Sequence, residues 1–295
     1  MANVAVAPRT PARARARSAA GRRRLERAGA YAAMALLLAY TLWRFAWTLL
    51  TSLKPDEFVL SRHLTVLPRI TLKHYADIFA FGIILVFFKN TLIVSLATMA
   101  LTFLVVTPAA YAVAVLAVRG TKAVTVAMLA VQMMPGILLV IPLYLLLRSL
   151  SLINTYAGLV IAYSSFSVSF CYLFAVAYFR RIPRELFEAA FVDGCSPLRG
   201  LWRIGLPIAA PGLMVTAVFA LIHAWSDFLF ANTFMNSLSM RTLTVGLQTM
   251  QTSAGQIAWG DLTAAAIFAI APIVVAFAIA SRYIVAGLTA GSIRE

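Results

Sequence analysis

The sequence predicts an all-α integral membrane protein with six transmembrane helices and both termini in the cytoplasm. Three observations lead there. Apolar residues make up 62% of the 295 positions and charged residues only 12%, against about 25% charged in soluble domains. With a mean hydropathy of +0.89, no soluble fold has an interior large enough to hide that surface. Six windows have the length and apolarity of a span. Finally, 25 Lys and Arg outnumber 10 Asp and Glu, and this basic excess gathers on one side of those windows.

A spanning helix needs about 20 mostly apolar residues, because the hydrocarbon core is about 30 Å thick and each residue rises about 1.5 Å. The windows are 28–53, 91–118, 123–147, 156–178, 208–229 and 264–284. The second has two readings. Phe79 to Phe88 is also apolar and only Lys89-Asn90 separates it, so it is either an interfacial helix or an early extension of the span. Pro108, Pro135, Pro142 and Pro272 would break soluble helices, but in a bilayer neighbouring helices satisfy the freed backbone groups.

Charge sets the orientation. Eight arginines precede Ala28, Arg119 and Lys122 follow the second window, Arg180, Arg181, Arg184, Arg199 and Arg203 follow the fourth, and Arg282 and Arg294 end the chain. These are 17 of the 25 basic residues, and insertion retains Lys and Arg on the cytoplasmic side. Residues 1–27 therefore read as a basic, disordered cytoplasmic tail ahead of a transmembrane domain at 28–295. The tail also admits readings as a nucleic-acid arm, a transit peptide or a twin-arginine signal. It has no aromatic residue to stack a base, and the apolar stretch after it, near 25 residues, exceeds the roughly 7–15 of a signal peptide. The bilayer is the expected partner, and nucleic acid is not.

Chemistry is sparse. The chain has no G-x-x-x-x-G-K-[ST], G-x-G-x-x-G, H-E-x-x-H or G-x-S-x-G motif, so neither a P-loop, a dinucleotide site, a zincin nor a serine hydrolase is indicated. His63, His74 and His223 lack metal-ligand spacing. Cys171 and Cys195 fall in a span and in a cytoplasmic connection, so no structural disulfide is expected. No carboxylate sits in mid-span as a proton relay would need, since Asp227 falls at the outer end of the fifth window. Neither catalysis nor metal binding is expected.

One connection, about 180–207, differs from the rest. It reads as two short helices around a turn. Pro183 suits a first helical turn, and Glu185 and Glu188 complement the dipole near that helix's N-terminus. Leu186, Ala189, Ala190 and Phe191 recur at helical spacing. Asp193-Gly194 marks the turn, Ser196 can cap the next helix and Pro197 fits its first position. Leu198, Leu201, Trp202 and Ile204 give that second helix an apolar face. Such a pair either rests on the membrane interface or docks in a partner's groove, and periodicity alone leaves both open.

The same segment resembles the signature of permease subunits of binding-protein-dependent ABC importers: EAA, three residues, Gly, nine residues, then I-x-L-P. Glu188, Ala189, Ala190, Gly194, Ile204, Leu206 and Pro207 match it without a gap. The likeness runs from about Tyr40 to Ile293 and is greatest to the carbohydrate-importer branch, the maltose-permease second-subunit type. TSLKP at 51–55, MMPGILLVIPLYLLLRSLSLINTYAGL at 133–159, AWSDFLFA at 224–231 and the terminal IVAGLTAGSIRE carry it. Ser226 stands where Asn is common, Arg294 where Lys is, and Cys195 where Ala is.

That resemblance implies a type I ABC importer permease in a bacterial inner membrane. Such a subunit binds no cofactor of its own, with ATP and Mg held by a cytoplasmic ABC ATPase dimer. The further partners implied are a second permease subunit and an extracytoplasmic solute-binding protein. Glu188 to Ala190, Asp193, Gly194, Ile204, Leu206 and Pro207 would form the ATPase-docking loop, with Glu188 pairing to a basic residue. The outer segments 54–89 and 231–261, with Tyr75, Phe79, Phe234 and Trp259, would meet the binding protein. Arg44, Tyr144, Tyr163, Ser165 and Ser169, with Ser164 and Ser167 beside them, are candidate substrate-path residues. Small polar residues also simply pack helices, and Arg44 has a snorkelling alternative. A permease for another solute, such as a glycerol phosphodiester or an amino acid, and a non-transport membrane protein remain as alternatives.

Overall fold

A computed structural model describes residues 12–59, 61, 69–80, 82–253 and 258–289. The residues before 12, the outer-loop residues 62–68 and the terminal residues 290–295 lie outside this description. Among the described residues all regular structure is helical. The order is α1 (Ala12–Ser52), α2 (Asp56–Val59), α3 (Lys73–Ala80), α4 (Ile83–Ala114), α5 (Thr121–Met133), α6 (Gly136–Ser149) and α7 (Tyr156–Phe179). Then come α8 (Arg184–Val192), α9 (Pro197–Gly200), α10 (Leu206–Ser226), α11 (Leu229–Phe234), α12 (Leu243–Ser253) and α13 (Trp259–Thr289).

Five helices are long and apolar enough to cross a membrane: Glu26–Ser52 within α1, α4, α7, the continuous Pro197–Ser226, and Trp259–Ser281 within α13. The pair α5 and α6 is bent by 105° and makes six if the two helices count as one broken span, the alternative being a re-entrant loop. That bend corrects the expectation of an unbroken third span at 123–147. Pro135 drives the preceding Met134 out of the helical region, to φ −79° and ψ 126°. Pro108, Pro142 and Pro272 stay inside their helices as expected.

Other boundaries move for identifiable reasons. The second span starts at Ile83, behind Gly82 at φ +65°. Lys89 and Asn90 lie inside it rather than before it, because Lys89 points outward while Asn90 is buried and satisfied. Asn90 Nδ2 donates to the carbonyls of Ser239 (2.8 Å) and Arg241 (2.9 Å), and its Oδ1 accepts from the Tyr156 hydroxyl at 2.7 Å. The fifth span ends at Ser226, where Asp227 turns extended and its Oδ1 accepts from the amides of Phe230 (3.0 Å) and Ala231 (3.3 Å), capping α11. Helical backbone also begins at Ala12, so the tail expected to be disordered joins α1 over its last 16 residues. Ala and Arg are both strong helix formers.

Helices α4, α7 and α10 form the centre. α13 packs on α10, α1 lies along α13, and α5 lies along α7. The α7–α10 seam is close because Gly212 faces the Tyr178 ring: a Cβ there would fall 2.1 Å from its Cγ. Small residues admit such approach, which substitutes for the hydrophobic drive that lipid removes. Buried clusters then form at the two ends, one around Tyr111, Phe179 and Phe187, the others around Tyr163, Phe230 and Phe234 and around Ile84, Phe87 and Trp225.

Candidate functional site

The connection after α7 is built as two lever arms on one anchor. α8 spans Arg184 to Val192 with Pro183 as its N-cap, one residue outside the expected first turn. Phe187, which the apolar spacing did not single out, is the anchor: it is 1% exposed and meets the Tyr111 ring of α4 edge-on at 5.6 Å. The chain then reverses at Gly194, with φ +80°, a conformation that costs residues with a Cβ. The Gly194 amide donates to Phe191 O (3.1 Å) and the Cys195 amide to Ala190 O (2.9 Å), closing the helix. Ser196 caps the next turn as its spacing predicts, its hydroxyl accepting from the Arg199 amide at 3.4 Å.

The second helix is not free-standing as the sequence suggested. α9 passes through a π turn at Leu201–Gly205 directly into α10. The cause lies in the motif. Pro207 has no N–H to donate to the turn before it, and the Leu206 amide reaches back five residues to Leu201 O. Single π turns of this kind mark functional places in helices. Gly200 and Gly205 let the turn lie flat, since Cβ atoms there would come within 3.0 Å of the Tyr111 hydroxyl and 3.3 Å of the Phe179 ring.

Burial divides the expected apolar faces. Phe187, Leu201 and Gly205 point inward, with Ala190, Phe191 and Ile204 half-buried, whereas Leu186, Ala189, Val192, Leu198 and Trp202 face out. Val192 is 87% exposed and Trp202 61%. Glu188 and Asp193 are exposed beside them. Glu185 occupies the first turn of α8 while Glu188 lies a turn further on, so Glu185 takes the dipole role expected of both. Among the described residues Glu188 forms no ion pair. The surface is apolar at its centre with carboxylates and the guanidinium groups of Arg184, Arg199 and Arg203 around it, a composition suited to a protein groove.

The candidate substrate-path residues do not converge. Arg44 is exposed on α1, its guanidinium donating to the Tyr40 hydroxyl at 2.9 Å and stacking over that ring. Ser165 is exposed and donates to Ile161 O of its own helix. Ser169 is buried towards Met128 of α5. Tyr163 is fully buried in the core of α7, and Tyr144 packs beside Phe234. Ser164 and Ser167 are likewise buried in α7.

The outer end is tied by residues that spacing did not reveal. His74, 1% exposed, places Nδ1 2.7 Å from Asp261 Oδ1 and Nε2 2.9 Å from Lys54 O, joining α1, α3 and α13. Ser52 and Tyr75 hydroxyls meet at 2.9 Å, and Lys73 donates to Asp56 at 2.8 Å, holding that carboxyl below its usual range. Asn154 Oδ1 accepts from the Asn236 and Ser237 amides at 3.0 and 3.1 Å. Of the aromatics expected on this surface, Phe79 and Trp259 are exposed, Tyr75 is half-buried and Phe234 belongs to the core. The burial of Phe234 is a correction: α11 folds it against Tyr144 and Phe230.

Residues 106–290 match the family described as binding-protein-dependent transport system inner membrane component. The inner membrane ABC transporter permease protein YcjP of Escherichia coli (strain K12) is 36% identical over 94% of this chain and 99% of its own. The trehalose/maltose transport system permease protein MalG of Thermococcus litoralis is 32% identical over 88% of this chain and 94% of its own. Among solved structures, a bacterial ABC transporter involved in the import of the acidic polysaccharide alginate superposes with a TM-score of 0.76 at 17% identity, covering 94% of this chain and 99% of that one. The fold is thus that of an ABC importer permease, and the chain belongs to the binding-protein-dependent transport system inner membrane component family.

Proposed function

We propose that the chain is the permease subunit of an ATP-driven importer that carries a sugar or sugar-like solute from an extracytoplasmic binding protein into a bacterial cytoplasm. It spans the inner membrane with both termini inside, beside a second permease subunit, and a cytoplasmic ATPase dimer holds the ATP and Mg. The observation that carries this reading is the 180–207 connection: an exposed face of Leu186, Ala189, Val192 and Trp202 beside Glu188, fixed from below by Phe187. Membership of the transport-system family supports an ATPase subunit as the occupant of that face, and the trehalose/maltose relative supports the solute class.

The mechanism follows from the connectivity. An ATPase subunit takes α8 into a cleft, with Glu188 against a basic residue and Asp193-Gly194 at the tip. Closure of the ATPases around ATP moves α8. Phe187 passes that motion to Tyr111 on α4, and the π turn at Leu201–Gly205 passes it without a joint into α10. Both α4 and α10 are central spans, so the permease switches between inward-open and outward-open states. ATP thereby biases a two-state element through a rigid contact.

Glu188→Lys tests this reading. Uptake of radiolabelled trehalose or maltose in cells is expected to fall at least about tenfold, the loss of an interfacial charge pair, with membrane insertion unchanged. Uptake equal to wild type at equal protein level would refute the docking role.

A further inference from the structure

Beside the break in the third span lies a cavity that the coupling mechanism does not use. Its volume is about 110 Å³, and it is bounded by the last turn of α5, the middle of α7 and the outer half of α10. Phe166, Phe170 and Phe219 form its walls, all half-buried, with Phe170 and Phe219 stacked at 3.7 Å between centroids. Two polar side chains complete it. Gln132 is exposed at the mouth, and His223 contributes a buried Nδ1 with no hydrogen-bond partner among the described residues. No Asp, Glu, Lys or Arg lines it.

Each feature alone has a packing explanation; together they do not. Irregular backbone at membrane depth persists where it is buried in protein or lines an aqueous cavity, and broken helices in transporters line the solute site. A buried nitrogen without a partner is costly unless something arrives to bond it. A lipid chain would cover the phenylalanines but leave Gln132 and His223 unbonded. A charged solute would find no charged group on the wall, since the nearby Asp227 carboxylate is engaged with the Phe230 and Ala231 amides. An uncharged ring bearing hydroxyl groups satisfies both, its C–H face against the aromatic walls and its hydroxyls against the amide and the imidazole.

From these contacts we infer that the cavity holds one ring of a carbohydrate in transit, with Gln132 and His223 as hydrogen-bonding residues and Phe166 and Phe219 as the stacking surface. This deepens the carbohydrate reading and rests on it. None of the path residues chosen from sequence belongs to it, because its members come from three helices and a proline break.

The test uses the whole transporter in proteoliposomes, with its binding protein, and radiolabelled trehalose and maltose as probes. Gln132→Ala, at an exposed position, and His223→Leu are each expected to reduce uptake about tenfold, the worth of one lost hydrogen bond in a transfer step. ATP hydrolysis stimulated by the loaded binding protein should persist, unlike in Glu188→Lys. His223→Gln, which retains a hydrogen-bonding amide, should recover most of the uptake and guards against a folding defect. Uptake within twofold of wild type in both Gln132→Ala and His223→Leu overturns the site and leaves the importer reading standing. A wild-type transporter that moves neither disaccharide nor any other sugar its binding protein retains overturns the site together with the carbohydrate reading.

Discussion

His74 shows what a single buried polar side chain does in a chain with few of them. Its ring bridges the partly exposed Asp261 carboxylate and the buried Lys54 carbonyl, where α3 packs against α13 and the turn after α1. Gly260 makes the approach possible, since a Cβ there would lie 2.1 Å from the ring. His74→Ala removes the ring from both partners, leaves the buried Lys54 carbonyl unpaired and opens a cavity, at a combined cost of about 2–5 kcal/mol. The expected result is a clear drop in the thermal midpoint of the detergent-solubilised protein, with earlier proteolysis near the start of α13. An unchanged midpoint would mean that the three segments hold together without it. Nothing in the local sequence announces this contact, because its partners are 20 and 187 positions away.

Among the elements, α8 and the π turn behave as one device. The motif residues were legible as a pattern, and Gly194 and Ser196 took the conformations their chemistry predicts. Phe187 was not legible, since in helical projection it is one of several apolar residues and only the neighbouring Tyr111 decides which one turns inward. Phe187→Ala removes that ring contact, a change worth about 3–5 kcal/mol in a packed core. Because the loop lies at the membrane edge, insertion is expected to survive while α8 loosens. The assembled transporter should then hydrolyse ATP with little import. Coupled import at the wild-type ratio to ATP would show that α8 transmits force by another route.

At the scale of the molecule, apolar surface selects the helices that can cross a membrane, and charge predicts their orientation. In the most apolar 18 residues of Glu26–Ser52 none is buried within the chain, and in those of Trp259–Ser281 only 11% are, so most of the apolar surface of α1 and α13 is left uncovered by the rest of the chain. The native cysteines report the orientation. Cys171 is fully buried in α7, while Cys195 is half-buried beside Gly194 at the tip of the connection. A membrane-impermeant maleimide is expected to label the protein in inside-out vesicles and not in right-side-out ones, and Cys195→Ser should abolish the signal. Labelling from the outside would invert the topology derived from the 17 basic residues.

By itself the sequence determined the class, the apolar segments and the motif loop, because these rest on quantities local to a segment: apolarity summed over about 20 residues and turn chemistry at Gly194 and Ser196. Only the tertiary structure decided that the third span breaks at Pro135, that α9 runs into α10, that Phe187 rather than Leu186 is the anchor, and that Gln132 and His223 share a cavity. Within a bilayer every face of a span is apolar, so periodicity no longer separates inside from outside. What faces what is settled by close contact between helices, and that information exists only once they have packed.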